Sequence, residues 1–313
     1  MGSALLAALL LLAGTPLWAQ PAAGKASPEE TCKACHAAYV EAYAASKHGV
    51  KTDGRAAANR GGCLACHGDA ALEHAAKGGG KGGGVLAFGD RNVPADRKSA
   101  ACLACHQGGT RTHWQMSLHG SRDVACSACH DVHARYDRVR DKQAQAQVCF
   151  NCHQEVRAQV NRPSRHPIKE GKIACSDCHN AHGGAGEKQL VRDSVNDTCY
   201  GCHMEKRGPF VRTHQPVQES CSICHSPHGT TNPSLLKIRQ PFLCQSCHEP
   251  TSHRGTIPNN APVTGPVTLA GGLAPNPGLS QGVLMARGCL NCHTQIHGTN
   301  NPADLSGERS FRR

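Results

Sequence analysis

The chain has little of what an ordinary globular core is made from. Aromatic residues make up only 4% of its 313 residues, against 34 glycines and 18 prolines, so a conventional apolar interior of this size is hard to assemble from side chains alone. Methionine is scarce: after Met1 only Met116, Met204 and Met285 occur. Long apolar runs are absent past residue 20, where nothing approaches the ~20 residues a spanning helix needs. Unpaired cysteine is missing altogether. All 20 cysteines fall in pairs of the form Cys-X-X-Cys.

The one apolar run, Ala4–Ala13, lies in MGSALLAALLLLAGTPLWAQ and is followed by Pro16 and Ala19. It is too short for a bilayer and gives way at once to polar chain. Residues 1–20 therefore read as a secretory signal peptide, although its first residues contain no Lys or Arg.

Each cysteine pair is followed directly by histidine. The ten motifs are Cys32, Cys35 and His36; Cys63, Cys66 and His67; Cys102, Cys105 and His106; Cys126, Cys129 and His130; Cys149, Cys152 and His153; Cys175, Cys178 and His179; Cys199, Cys202 and His203; Cys221, Cys224 and His225; Cys244, Cys247 and His248; Cys289, Cys292 and His293. Cys-X-X-Cys-His is the attachment site of a c-type haem. In a helical segment the two sulfurs lie on one face, within reach of both vinyl edges of one porphyrin, and the histidine projects over the ring to the iron. A disulfide framework would not place a histidine after every pair. Zinc knuckles do not call for one either. Ten covalently attached haem c groups are expected, supplying the buried surface that the side chains lack and making the fold depend on its cofactors.

The haems also change the charge. The protein alone carries +11, but each ferric porphyrin adds about one positive charge and its propionates remove two, giving about +1 oxidised and about −9 reduced. The basic residues thus balance propionates, and no nucleic-acid partner is expected.

Eleven histidines lie outside the motifs. With His113 set aside, motif and free histidine alternate without a break through five units that start at Cys32, Cys102, Cys149, Cys199 and Cys244. The first free histidine follows its motif histidine by 12, 13, 13 and 11 residues in the first four units, and the second follows by 7, 3, 3, 3 and 4 across all five. His113 would give a lag of 7 where its neighbours give 11 to 13, so His119 fits the series and His113 does not. The candidates for the distal iron position are His48, His74, His119, His133, His166, His182, His214, His228, His253 and His297, one for each haem. Iron with imidazole on both faces passes electrons but has no open position for a substrate. An electron-transfer protein is expected, with no catalytic residues. A multihaem reductase would need a haem lacking its sixth ligand or a modified motif such as Cys-X-X-Cys-Lys, and neither is present. Spacing leaves open which free histidine serves which iron. His133, His182 and His228 are expected to reach a neighbouring haem and lock adjacent porphyrins together.

Regular secondary structure should be sparse: short helices around the motifs, such as Lys142 to Val160, with RPSRHPI and PSLLKIRQPF limiting their length. KGGGKGGG, residues 77–84, lacks the spacing of a phosphate loop and reads as a flexible surface loop. Thr251 to Arg287, free of cysteine, reads as an extended excursion, and SGERSFRR as a solvated tail.

The motif count, the period and stretches such as SRHPIKEGKIACSDCHNAHG and CYGCHMEKRGPFVRTHQPVQESCSICHSPHG make the chain similar to the DmsE/MtrA-type decahaem cytochromes, a group that includes PioA. The resemblance is most specific from Cys102 to His297. It implies a fold of little regular structure along an elongated haem wire, residues 21–313, in the periplasm. The implied partners are an outer-membrane β-barrel, periplasmic or inner-membrane donor and acceptor cytochromes, and an extracellular multihaem cytochrome. Its electrons would serve metal or sulfoxide reduction, or iron oxidation. At roughly 10 Å per porphyrin, comparable to a helix diameter, ten exceed the ~30 Å hydrocarbon layer about threefold. A polar wire would cross that layer only inside a barrel. A soluble shuttle feeding a terminal reductase is the other architecture the sequence allows.

Overall fold

The computed structural model describes residues 27–80, 84–184, 186–248, 289–291 and 293–301. The leader, the Thr251–Arg287 excursion, the C-terminal tail, His253 and Cys292 lie outside the described residues, as do residues 81–83 of the Gly/Lys loop. Among the described residues there are short α-helices, single 3-10 turns and four isolated β-bridges, but no strands. No helix there is long and apolar enough to cross a membrane.

Every motif is one turn of helix. The histidine N–H donates to the carbonyl of the first cysteine at 2.9 to 3.0 Å in nine of the motifs, from His67 onwards, and the first motif lies inside the helix Pro28–Ala44. Odd-numbered motifs from the third onwards are entered from the C-terminal end of an α-helix: Ala95–Leu103, Lys142–Phe150, Val195–Tyr200 and Phe242–Gln245. Two of these helices start at a side-chain cap: Asp141 accepts from Gln143 N, and Ser194 accepts from Asp197 N; the other two follow Pro94 and Pro241. The fourth, sixth, eighth and tenth motifs are instead lone 3-10 turns, Cys126–Ala128, Cys175–Asp177, Cys221–Ile223 and Cys289–Asn291.

The motif also ends the helix. The continuous helix expected from Lys142 to Val160 is two, Lys142–Phe150 and Gln154–Gln159, broken where His153 takes φ −88° and ψ 64°. His36 and His203 leave the helical region in the same way. A histidine that must swing out over a porphyrin held by the preceding turn cannot keep the helical course.

In the three units that start at Cys102, Cys149 and Cys199, a buried polar residue three or four positions before the first cysteine fastens helix to turn. Asn196 accepts from Cys221 N at 2.7 Å and donates to the carbonyls of Val217 and Gln218. Gln145 accepts from Ser176 N and donates to Ser176 Oγ, and Ser99 accepts from Cys126 N. A Lys142–Asp177 ion pair adds to the Gln145 contact. Between units the chain is strapped by β-bridges: Ser164 with Thr230 and Arg212 with Thr299, each through two backbone hydrogen bonds of 2.8 to 3.1 Å. Among the described residues the apolar cluster of Ala146, Phe150, Val160 and Ile168 is small. Side-chain burial is thus as limited as the lack of aromatics implies.

Candidate haem sites

The free histidines come to stand opposite motif histidines, one to one. His74 faces His36, His133 faces His67, His48 faces His106, His182 faces His130, His119 faces His153, His228 faces His179, His166 faces His203, His297 faces His225 and His214 faces His248. Ring centroids are 6.0 to 6.5 Å apart in all nine pairs. Two imidazoles bound trans to one metal, with metal–nitrogen bonds of about 2.0–2.1 Å, place their centroids about 6.3 Å apart. The gap in each pair is one iron atom wide. His253, the remaining one of the ten in the alternating series, lies outside the described residues.

The pairing is not between neighbours. In the first four units the first free histidine faces the odd motif of the following unit, as His119 faces His153, and in the last four the second faces the even motif of the preceding unit, as His182 faces His130. His133, His182 and His228 therefore face a motif of the preceding unit, two motifs back, and not the motif they follow. The straps explain the reach, since the bridge at Thr230 carries His228 onto the unit before its own. His74 has no earlier unit to serve and faces His36 in its own. His113 faces no motif histidine among the described residues; its carbonyl accepts from Met116 N.

The local geometry prepares these rings for a metal. His119 and His166 donate from Nδ1 to the carbonyls of Ala181 and Pro227, and His67, His179 and His225 donate to those of Leu86, Lys188 and Ser234, all at 2.8 to 3.0 Å. A carbonyl only accepts, so Nδ1 holds the proton and Nε2 keeps its lone pair, the tautomer that binds iron. Burial pushes His106, His133, His182, His214, His228 and His297 below the ordinary imidazole range, which favours the neutral, ligating form.

The cysteines fall into two alternating contacts. First cysteines of one unit meet at hydrogen-bonding reach: Cys32 with Cys63, Cys102 with Cys126, Cys149 with Cys175, Cys199 with Cys221 and Cys244 with Cys289. Second cysteines lie in electrostatic range across unit boundaries: Cys66 with Cys105, Cys129 with Cys152, Cys178 with Cys202 and Cys224 with Cys247. None of the described cysteines is in a disulfide. The guanidinium Nε atoms of Arg111, Arg165 and Arg212 are buried without a partner, donors of the kind a propionate carboxylate takes up. Free thiols, facing imidazoles and buried guanidinium Nε donors without a partner together fit haem c.

Spacing did not reveal the fastening residues Ser99, Gln145 and Asn196 or the three arginines. A polar residue three or four positions before an odd-motif cysteine is a signal for the former.

Comparison with known proteins agrees with this chemistry. The family described as "Doubled CXXCH motif" matches residues 166–208 and 214–253, and "Cytochrome c-type protein NrfB-like" matches residues 63–143. The multiheme cytochrome MtrA of Shewanella baltica is 38% identical over 244 residues, covering 77% of this chain and 68% of the relative. The cytochrome c-type protein NrfB of Haemophilus influenzae is 28% identical over 138 residues, covering 40% of this chain and 56% of the relative. The high-molecular-weight cytochrome c of Nitratidesulfovibrio vulgaris is 23% identical over 171 residues, covering 51% of this chain and 28% of the relative. With such a match along most of both chains, on top of the repeated Cys-X-X-Cys-His turns, the chain belongs to the MtrA-type multihaem c-type cytochromes.

Proposed function

We propose that this chain is a periplasmic decahaem wire: ten haem c groups, each attached through its motif cysteines and held between its motif histidine and one free histidine, passing electrons in motif order. The observation that carries this reading is the set of nine motif-to-free histidine pairs at iron-wide separation. His253 joins this set as the remaining one of the ten histidines of the alternating series in the sequence. The alternating cysteine proximities support a serial path, because successive motifs approach each other through their first cysteines within a unit and through their second cysteines between units. With both axial positions taken, the irons conduct and do not bind substrate.

Consecutive units among the five beginning at Cys32, Cys102, Cys149, Cys199 and Cys244 lend ligands to one another, which supports reading residues 21–313 as one decahaem domain. By likeness to MtrA, the wire sits inside or against an outer-membrane β-barrel and exchanges electrons with periplasmic donor or acceptor cytochromes for extracellular electron transfer. A barrel is what lets irregular polar backbone cross hydrocarbon.

Mass spectrometry and electron paramagnetic resonance of the purified, air-oxidised protein test the wire. Ten haems, all low-spin ferric, are expected; fewer haems, or a high-spin centre in the unmodified protein, would refute it. Co-purification with an outer-membrane barrel tests the location, and recovery only as a free periplasmic protein would favour the shuttle.

A further inference from the structure

Three of the four motif histidines of the second to eighth even motifs donate from Nδ1 to a backbone carbonyl: His67 to Leu86 at 2.9 Å, His179 to Lys188 at 3.0 Å and His225 to Ser234 at 2.8 Å. In the last two the acceptor lies nine residues on, at a position of positive φ, 50° for Lys188 and 55° for Ser234. The fourth, His130, has no such turn after it. Its Nδ1 meets the Oδ2 carboxylate oxygen of Asp137 at 2.5 Å. The other oxygen of Asp137 accepts from Val139 N and caps the turn Arg138–Arg140, which fixes the carboxylate's direction. Both side chains are largely buried, with 34% and 20% of their surface exposed. The nearest counterpart, Glu205 opposite His203, stands at 3.6 Å with both side chains more than half exposed, too far for a hydrogen bond.

A neutral carbonyl and a full negative charge act differently on a metal-bound imidazole. The carboxylate draws the Nδ1 proton toward itself, makes the ring a stronger donor and favours the ferric over the ferrous state. We propose that Asp137 is a positioning and tuning residue that lowers the reduction potential of the haem at Cys126 and Cys129 below what a carbonyl partner would give. The inference rests on the haem reading of that site. It places an energetic step inside the wire, at the fourth haem, between the haems at Cys102 and Cys149.

The test compares the whole protein with Asp137→Asn, Asp137→Ser and Asp137→Glu by optically monitored redox titration. Asn and Ser still cap the turn but remove the charge; Glu keeps the charge. Loss of the outer-shell carboxylate is expected to shift the ferric/ferrous equilibrium of one haem about tenfold, which is about 59 mV for a one-electron couple. The area between the wild-type and Asn curves should then equal one haem displaced upward by that amount, wherever it lies in the ten-haem envelope. Ser should match Asn, and Glu should return toward wild type. Superimposable Asn, Ser and wild-type curves, in proteins with ten low-spin haems each, would overturn the tuning role. A wild type with fewer low-spin haems would instead overturn the haem reading beneath it, and the haem count and spin state separate the two failures.

Discussion

Replacing Gly229 with Ala tests the strap that carries His228 onto the haem at Cys175 and Cys178. Gly229 has φ 146°, and a Cβ there would stand 2.2 Å from the Gln159 carbonyl oxygen. A left-handed conformation costs an L residue about 1–2 kcal/mol. A backbone oxygen is not the movable end of a side chain, so the clash must be relieved by shifting residues 228–230. That opens the two hydrogen bonds between Ser164 and Thr230, 3.1 and 2.8 Å, at a net cost of about 1 kcal/mol each, for a total of about 3–4 kcal/mol. His228, whose Nδ1 meets Gln159 Oε1 at 3.2 Å, moves with them and loses its place opposite His179. The expected result is a high-spin ferric signal integrating to as much as one haem in ten, with faster thermal inactivation. Gly68 is the control: its φ is 77° but nothing lies within 4 Å of an added Cβ, so Gly68→Ala should cost only the backbone preference and leave every haem low-spin. A Gly229→Ala protein as low-spin and as heat-resistant as Gly68→Ala would refute the reasoning.

Other outcomes follow from the same geometry. His119→Ala should produce one high-spin haem, because His119 faces His153, while His113→Ala should leave the spectrum low-spin; the reverse pattern would show the ligand misassigned. Asn196→Leu strands the Cys221 N–H and the carbonyls of Val217 and Gln218, a loss of about 1–3 kcal/mol, so amide exchange at Cys221 should quicken roughly tenfold or more while exchange in the Cys102–Cys126 unit stays unchanged. Burial holds His133, His182, His228 and His297 below the ordinary imidazole range. Their folded-state values are depressed, so they disfavour the imidazolium; the stabilisation is present above about pH 6.5 and is lost as pH falls through the folded-state values. Ferric absorbance should stay low-spin through pH 6 and turn high-spin only on further acidification, and conversion beginning above pH 6.5 would count against it.

Chemistry and periodicity alone singled out the nine free histidines that come to face motif histidines. Ten Cys-X-X-Cys-His turns define themselves within five residues, because one helical turn is all that two thioethers and one axial ligand require. Strict alternation singles out the free histidines too, and the 11-to-13 lag picks His119 over His113. The helix Lys142–Val160 was misjudged because propensity runs on through Val156 and Gln159, while His153 has to leave the helix to reach an iron. Partner choice could not be read at all. Spacing within a unit says how far His182 lies from its own motif, but which ring it meets depends on where the unit as a whole is strapped. That is decided by contacts remote in sequence, such as Ser164 with Thr230, and by glycines such as Gly229 that let two backbones approach. Sequence alone determined how many Cys-X-X-Cys-His turns there are and that their chemistry is that of haem c, because those depend on residues a few positions apart. Only the tertiary structure decided that units lend ligands to one another and that His130 leans on a carboxylate where its counterparts lean on carbonyls, because these depend on which distant segments pack together.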